Sequence, residues 1–136
     1  MITFIHYVPS TRYEVEMSGA LDGIRVLDLS TLVQGPQAAA MLHGLGAEVI
    51  KIELPEIGDM GRHVGVLEEL GTSAFWEACN RGKRSVTLDL RTEAGHEAFL
   101  KLVGVSDVVL SNFQPGTLDG WGLGYDDLAA VNPGII

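Results

Sequence analysis

The sequence predicts an α/β fold in which helices cover a mostly parallel β-sheet. Short apolar runs rich in branched residues alternate with helical patterns in the order strand, helix, strand, and this order recurs later in the chain. Glycine and proline stand where the intervening helices should begin and end. Parallel strands in such a sheet are usually buried on both faces, so we expect the strands to lie in the interior.

The first such unit begins with the apolar run Ile24–Leu29 and ends with the run Ala47–Glu53. Gly35 and Pro36 mark the start of the helix between them, because proline suits the first helical position, and Gly46 lies just past its end. The residues of this helix are small or apolar almost all round. We therefore predict a helix that is buried on more than one side.

The alternation resumes with a predicted strand at Ser85–Leu90. Thr92 is a suitable cap for the helix that follows. The next strand is predicted at Asp107–Asn112, and a short helix at Tyr125–Val131. The apolar face of the helix after Thr92 consists of Gly95, Ala98, Phe99, Leu102 and Val103.

The two ends of the chain depart from this pattern. Residues 1–18 show only a weak, interrupted alternation, and we interpret them as an N-terminal extension of a domain that spans 19–136. At the other end, Gly134–Ile136 resemble the start of a buried strand, which needs about five residues and a neighbour on each side. We therefore expect the front piece of a longer protein, with a sheet incomplete at the C-terminus. A frayed terminus packed against an edge is the alternative.

Composition excludes several classes of function. The chain has 136 residues, with 9 Lys and Arg against 18 Asp and Glu, and its net charge of -9 argues against nucleic-acid or anionic-membrane binding. The lone Cys79 excludes an internal disulfide, and no Cys/His cluster has zinc-site spacing, so no metal is expected. Without a signal-peptide pattern or a long apolar run, we expect a cytoplasmic protein.

The end of the second strand carries Glu53, where a dinucleotide-binding fold holds ribose hydroxyls. The glycine fingerprint of that fold is missing, because the corresponding stretch reads "STLVQGPQAAA". An ordinary NAD or FAD site is therefore not expected. The start of the helix can still favour an anion through its free amides and dipole.

Two polar segments are better candidates for ligand contacts. "NRGKRS" (80–85) holds three of the nine basic residues, which fits either a phosphate subsite or a solvated turn that enters a strand. "SNFQPG" (111–116) follows a predicted parallel strand, where ligands of open α/β sheets gather, and Asn112 offers both a donor and an acceptor. The alternative for this segment is a turn that closes the strand without a ligand.

Catalytic acids, bases and nucleophiles are harder to assign. Asp28 and Asp89 lie in apolar contexts and fit buried, hydrogen-bonded structural acids. His43 lies on the buried helix and fits a core histidine, whereas His63 in a glycine-bearing loop has no identifiable partner. Cys79 has basic neighbours that could activate a thiol, although a packed thiol is the simpler interpretation. No Ser-His-Asp or Cys-His arrangement is recognisable.

Three segments in series resemble one protein family. They are "LDGIRVLDLSTLVQGPQAAAMLHGLGAEVIKIELPEIGDMGR" (21–62), "NRGKRSVTLDLRTEAG" (80–95) and "SDVVLSNFQPGTLDGWGLGYDDLAAVNPGII" (106–136). Together they resemble the N-terminal part of the family III CoA-transferases, a superfamily that includes the formyl-CoA, carnitinyl-CoA and bile-acid-CoA transferases and the α-methylacyl-CoA racemases. The resemblance keeps order and spacing from about Leu21 to the last residue.

The resemblance implies CoA-thioester chemistry on a Rossmann-like domain, within a homodimer whose two chains interlock. CoA or acyl-CoA is then a substrate, a small carboxylic acid is the second substrate, and no metal takes part. Lys83 and Arg84 are favoured as phosphate contacts, although they could equally brace the fold. The other CoA contacts that the resemblance implies are Val33, Gln34, Leu88, Asp89, Leu90, Arg91, Asn112, Phe113 and Gln114.

Two departures from the family pattern matter. Many relatives have an arginine shortly after the "NF-x-PG" turn, whereas this chain has Gly120 there. The aspartate nucleophile of the transferases lies beyond the "NP-x-x-I" segment, so we expect the 136-residue chain to bind CoA without activity of its own. The alternatives are an acyl-CoA racemase or epimerase of the same superfamily, and a truncated, non-catalytic CoA-binding or interaction module.

Overall fold

The computed structural model describes residues 19–69 and 71–136, so the predicted extension 1–18 lies outside the described residues. No helix within these ranges is long and apolar enough to cross a membrane. The strands are β1 (Arg25–Asp28), β2 (Glu48–Glu53), β3 (Val66–Leu67), β4 (Thr72–Ser73), β5 (Arg84–Thr87) and β6 (Val108–Leu110). The helices are α1 (Gln34–Gly44), α2 (Ala74–Asn80), α3 (Glu93–Val103), α4 (Thr117–Gly120) and α5 (Tyr125–Val131), with a 3₁₀-helix at Met60–His63.

Four strands form one parallel sheet in the order β5-β2-β1-β6. The central strand β1 places Leu27 opposite Ile50 of β2 and Val109 of β6. Because the chain moves outward from β1 to β5 and then returns to the other side of β1, the order is that of a doubly wound sheet. Beyond β6, Ile136 donates to the Asp107 carbonyl at 3.0 Å and accepts from the Val109 amide at 2.9 Å, as a further parallel neighbour would.

Helices cover both faces of the sheet, as predicted. Alternate residues of β1 and β2 face opposite layers, because side chains along a strand alternate. One layer packs Val26 and Val49 against Ala39 of α1. The other layer packs the next residues of the two strands against α3 and α5, and its core includes Leu27, Leu29, Ile50, Ile52, Phe99, Val103 and Leu128.

The structure corrects several details of the predicted elements. Strand β5 is not in the interior, because it lies at the edge of the sheet and all four of its residues are exposed. Helix α1 begins at Gln34, so Pro36 is its third residue rather than its first. Proline is still tolerated there, since the first amides of a helix have no intrahelical partner. The segment between β2 and β5 holds the 3₁₀-helix, the β3–β4 hairpin and α2, none of which the sequence pattern predicted.

Candidate functional site

A cleft of about 330 Å³ opens at the carboxyl edge of the parallel sheet. Residues at the ends of β1, β2, β5 and β6, or just after them, contribute to its walls. This edge is where ligands of open α/β sheets bind. We call it the carboxyl-edge cleft, and its lining residues are Leu29, Thr31, Lys51, Ile52, Glu53, Leu54, Ile57, Gly58, Asp59, Met60, Leu88, Asp89, Leu90, Arg91, Phe113 and Trp121.

Arg91 is the exposed cation of this cleft. Its guanidinium donates to Asp89 twice, from Nε to Oδ1 at 2.8 Å and from Nη2 to Oδ2 at 2.8 Å. These side-chain hydrogen bonds lower the pKa of Asp89 and raise the pKa of Arg91. The Arg91 side chain is 57% exposed, so it can contact an anion that enters the cleft. The other lining cation, Lys51, is buried.

The turn that carries Leu88–Arg91 is held against the start of α3. Thr92 caps the helix as predicted, because its Oγ1 accepts from the Gly95 amide at 3.1 Å and donates to the Asp89 carbonyl at 2.8 Å. A Cβ at position 95 would overlap that carbonyl, so glycine is required for α3 to approach the turn this closely. The cap therefore fixes the position of the cleft's basic rim.

An aromatic pair forms another part of the wall. Phe113 and Trp121 meet edge to face, with ring centroids 5.6 Å apart and an interplanar angle of 71°. The neighbouring Asn112 does not line the cleft. Its side chain instead accepts from the Thr31 amide at 2.9 Å and donates to the Thr31 carbonyl at 2.9 Å, which joins the segment after β6 to the loop after β1.

The loop after β1 leads into α1 over a buried charge cluster, which consists of Asp28, Lys51, Asp59 and Lys83. Lys51 Nζ lies 2.6 Å from Asp59 Oδ2 and 3.6 Å from Asp28 Oδ2, and Lys83 Nζ lies 2.8 Å from Asp28 Oδ2. All four side chains are at most 1% exposed. Two carboxylates and two ammonium groups make the cluster neutral, and buried charges require such pairing.

Lys83 and Arg84 are neighbours in sequence but differ in environment. Lys83 Nζ donates to Asp28 Oδ2, to the Pro36 carbonyl and to Asn80 Oδ1, each at 2.8 Å. Burial lowers its pKa despite the opposing effect of Asp28. Arg84, at the amino end of β5, pairs with Glu48 at the opposite edge of the sheet from the cleft. Both placements favour the alternative in which these residues brace the fold.

Glu53 lies at the end of β2 but is not free to hold a ribose. It is 4% exposed, and its carboxylate accepts from Arg62 Nε at 2.7 Å, Arg62 Nη2 at 2.8 Å and the Asp59 amide at 3.0 Å. Burial alone would raise the pKa of Glu53, but these bonds and one from Ser85 outweigh it and lower the pKa to about 2. Arg62 in turn stacks 3.5 Å over the ring of Trp76. Glu53 is therefore a structural anion.

The remaining candidates of the sequence analysis lie outside the cleft. Val33 and Gln34 are exposed at the start of α1, and Gln114 lies on the exposed turn after Phe113. His43 contacts the Ala47 carbonyl at 3.1 Å and His63 contacts the Ile57 carbonyl at 2.9 Å. Cys79 is buried. Within the described ranges, no group of three His, Cys, Asp or Glu residues is arranged to hold a metal ion.

The cleft thus gathers Leu88–Arg91 and Phe113 from the predicted contacts. It also contains residues that the sequence analysis did not single out, namely Leu54, Ile57, Met60 and Trp121. The sequence could have predicted the first three, because "LPEIGDMG" directly follows a predicted parallel strand. The segments with Leu88 and Phe113 have the same placement, and ligands bind where such segments meet.

Comparison with known proteins agrees with the fold. Residues 21–136 match the model of CoA-transferase family III. The chain is 46% identical to a succinyl-CoA–D-citramalate CoA-transferase of Chloroflexus aurantiacus, over 85% of this chain and 29% of that protein. It is 48% identical to the probable fatty acyl-CoA transferase Rv3272 of Mycobacterium tuberculosis, over 85% of this chain and 30% of that protein. A crystal structure of Rv3272 superposes with a TM-score of 0.81 at 44% identity, covering 88% of this chain and 32% of that one. The chain therefore spans about 30% of the length of its relatives.

Proposed function

Because this chain belongs to CoA-transferase family III, we propose that it is the CoA-binding N-terminal part of an enzyme that moves CoA from an acyl-CoA thioester to a carboxylic acid. The family match and the relatives that are named CoA-transferases support the reaction class. Their names differ in the acyl group and the acid, so the proposal stays with these two substrate classes. The resemblance extends the proposal to an interlocked homodimer for the whole protein, which we place in the cytoplasm.

The carboxyl-edge cleft is the observation that carries the CoA-binding part of the proposal. Two of the segments that the family resemblance implies as CoA contacts, Leu88–Arg91 and Phe113, meet there although they are far apart in sequence. Apolar side chains and an aromatic pair suit a nucleobase or a pantetheine arm, and Arg91 at the rim suits a phosphate. The helix amides next to Val33 and Gln34 add a second place where an anion is favoured. We retain Asn112 and Gln114 as contacts at the edge of the site.

We expect Arg91→Ala to weaken CoA binding by about tenfold, since a phosphate loses a charge-assisted hydrogen bond. The dissociation constant, measured by calorimetric titration of CoA into the chain, should also depend less on salt. Arg84→Ala is the matched control, because it removes the same charge at the opposite edge of the sheet and should leave the affinity unchanged. Absence of binding at millimolar CoA, or equal losses in both variants, would contradict the proposed site.

The covalent step requires the whole protein under this proposal. In the family mechanism an aspartate carboxylate attacks the thioester carbonyl, an acyl-enzyme anhydride forms, and CoA leaves as a thiolate. We assign that role to a residue outside this chain and expect the isolated chain to be inactive. Replacing the nucleophile in the full-length enzyme should abolish CoA transfer. Deuterium exchange at the substrate α-carbon without CoA transfer would instead support a racemase.

A further inference from the structure

We propose that Asp59 is a positioning residue that, held by Lys51, sets the conformation of the loop 30–33 for ligand binding at the start of α1. The inference rests on the proposed CoA-binding function. It starts from an observation that the function does not explain, namely a neutral but fully buried charge cluster directly beneath this loop. Such clusters are rarely the most stable solution for a core, because two charges must be desolvated for each pair.

Leu32 is the strained residue of the loop. Its φ angle is 67°, in the left-handed region that residues with a Cβ seldom adopt. The residue is 42% exposed, so burial of the leucine does not offset the strain. Conformations of this kind persist only where surrounding contacts impose them, and they concentrate at functional sites.

The contact that imposes this conformation comes from Asp59. Its Oδ1 accepts from the Leu32 amide at 2.9 Å, and its Oδ2 lies 2.6 Å from Lys51 Nζ. Lys51 Nζ also donates to the Ser30 carbonyl, so the same ion pair holds the loop on both sides of Thr31. The Lys51 ammonium is the charged partner of Asp59 Oδ2. The carboxylate is therefore fixed in direction by the lysine.

The residues on either side of Leu32 are held by other hydrogen bonds. Thr31 is held by Asn112, and the Val33 carbonyl already accepts from Gln37 as the first bond of α1. After the left-handed residue, Val33 and Gln34 are exposed at the entrance to α1. The Lys51–Asp59 pair thus determines where these two residues, and the free amides of the first turn, point.

A purely structural role for Asp59 is the competing explanation. The same Oδ1 accepts from the Gly61 amide at 2.7 Å and caps the 3₁₀-helix. The two explanations differ at Leu32. If Asp59 acts by holding a left-handed residue, glycine at position 32 should make the loop less dependent on Asp59, because glycine adopts that conformation without a steric penalty. If Asp59 acts only as a cap of the 3₁₀-helix, glycine at position 32 should not restore CoA affinity in a variant that has lost Asp59.

The test compares two double variants in which both residues of the pair are replaced by uncharged ones. They are Lys51→Met with Asp59→Asn and Lys51→Met with Asp59→Leu. Each removes one positive and one negative charge, so Asp28 and Lys83 remain paired and neither variant leaves an unpaired buried ion. They differ in whether position 59 keeps an oxygen that can accept from the Leu32 and Gly61 amides, and the substitution at Leu32 separates these two contacts. We expect the Asn variant to bind CoA within about threefold of the unaltered chain. We expect the Leu variant to bind about tenfold more weakly, the penalty of a leucine in the left-handed region.

The decisive step adds Leu32→Gly to the weaker variant. We expect it to bring CoA affinity back to within about threefold of the Asn variant, whereas Leu32→Ala, which retains a Cβ, should not. Val103→Ala, a core truncation far along α3 from the cleft, serves as a control for general destabilisation and should not change affinity while the chain remains folded. Failure of the glycine rescue, or unchanged binding in the Leu variant, would overturn the positioning role.

Hydrogen exchange at the Leu32 amide separates this inference from the proposed function. The amide should exchange at least tenfold faster in the Leu variant than in the Asn variant, because only the latter retains its acceptor. If the unaltered chain binds no CoA, the proposed function fails while this comparison still reports on the loop. Equal exchange rates in the two variants would overturn the positioning role itself, whatever CoA does.

Discussion

Replacing Lys83 with Met is expected to destabilise the folded chain by about 3–5 kcal/mol, because removing one partner of a buried ion pair leaves the other uncompensated. Asp28 is 0% exposed and would lose its 2.8 Å contact, with Lys51 at 3.6 Å as the remaining cation. The Pro36 carbonyl and Asn80 Oδ1 would each lose a donor as well. Urea unfolding followed by circular dichroism measures the loss.

Arg84→Met is the matched control for this prediction. It removes an adjacent positive charge whose side chain is 72% exposed and paired with Glu48, and exposed pairs contribute at most about 1 kcal/mol. We expect an unfolding midpoint close to that of the unaltered chain. Similar losses in the two variants would contradict the division of the basic segment into one buried and one exposed residue.

The different environments of Lys83 and Arg84 could not be predicted from the segment "NRGKRS" alone. Composition identifies a basic cluster, but Lys83 and Arg84 have the same charge, and their separation depends on which side of the sheet each faces. Asp28, the partner of Lys83, is 55 positions away in sequence. The pattern correctly suggested that Asp28 is a buried, hydrogen-bonded acid, but a single sequence contains no signal for its partner.

The main elements of the fold were predictable because their signals are local. Apolar runs of β1, β2 and β6 and the Thr92 cap each determine a neighbouring element without distant contacts. Helix α2 was missed because its residue types do not mark its buried face: Phe75 is exposed and Asn80 is buried. Ser73 nevertheless caps it by accepting from the Trp76 amide at 3.3 Å. Strand β5 was wrongly placed in the interior because its position at the edge depends on strand order.

The cleft was predictable in part for the same reason. Segments that directly follow parallel strands must meet at the carboxyl edge, which places Leu88–Arg91 and Phe113 together. The Lys51–Asp59 pair escaped notice because Lys51 lies within an otherwise apolar strand and Asp59 in a loop. Neither residue stands out until the backbone brings them to 2.6 Å.

Glu53→Gln is expected to reduce stability by roughly 3 kcal/mol at pH 7 and by progressively less in acid, because a carboxyl pKa depressed to about 2 from 4.5 stabilises the fold through its charge. The folded pKa lies below the unfolded one, so this contribution is fully present above about pH 4.5 and is lost as the pH falls through about 2. Urea unfolding should therefore show that the free energies of unfolding of the unaltered chain and of Glu53→Gln become more alike as the pH falls from 7 to 2.

Glu48→Gln provides the comparison that ties the effect to burial. Hydrogen bonding from Arg25, at 2.6 Å, lowers the pKa of Glu48 too, but its side chain is 33% exposed and solvent screens the pair. We expect a loss of at most about 1 kcal/mol at pH 7 and little convergence with pH. A gap for Glu53→Gln that stays constant from pH 7 to pH 2 would mean that the glutamate acts through neutral hydrogen bonds and packing. If only the Glu53→Gln gap narrows in acid, the negative charge of Glu53 is the link between β2 and the loop that carries Asp59. That charge is held by Arg62, Ser85 and the Asp59 amide.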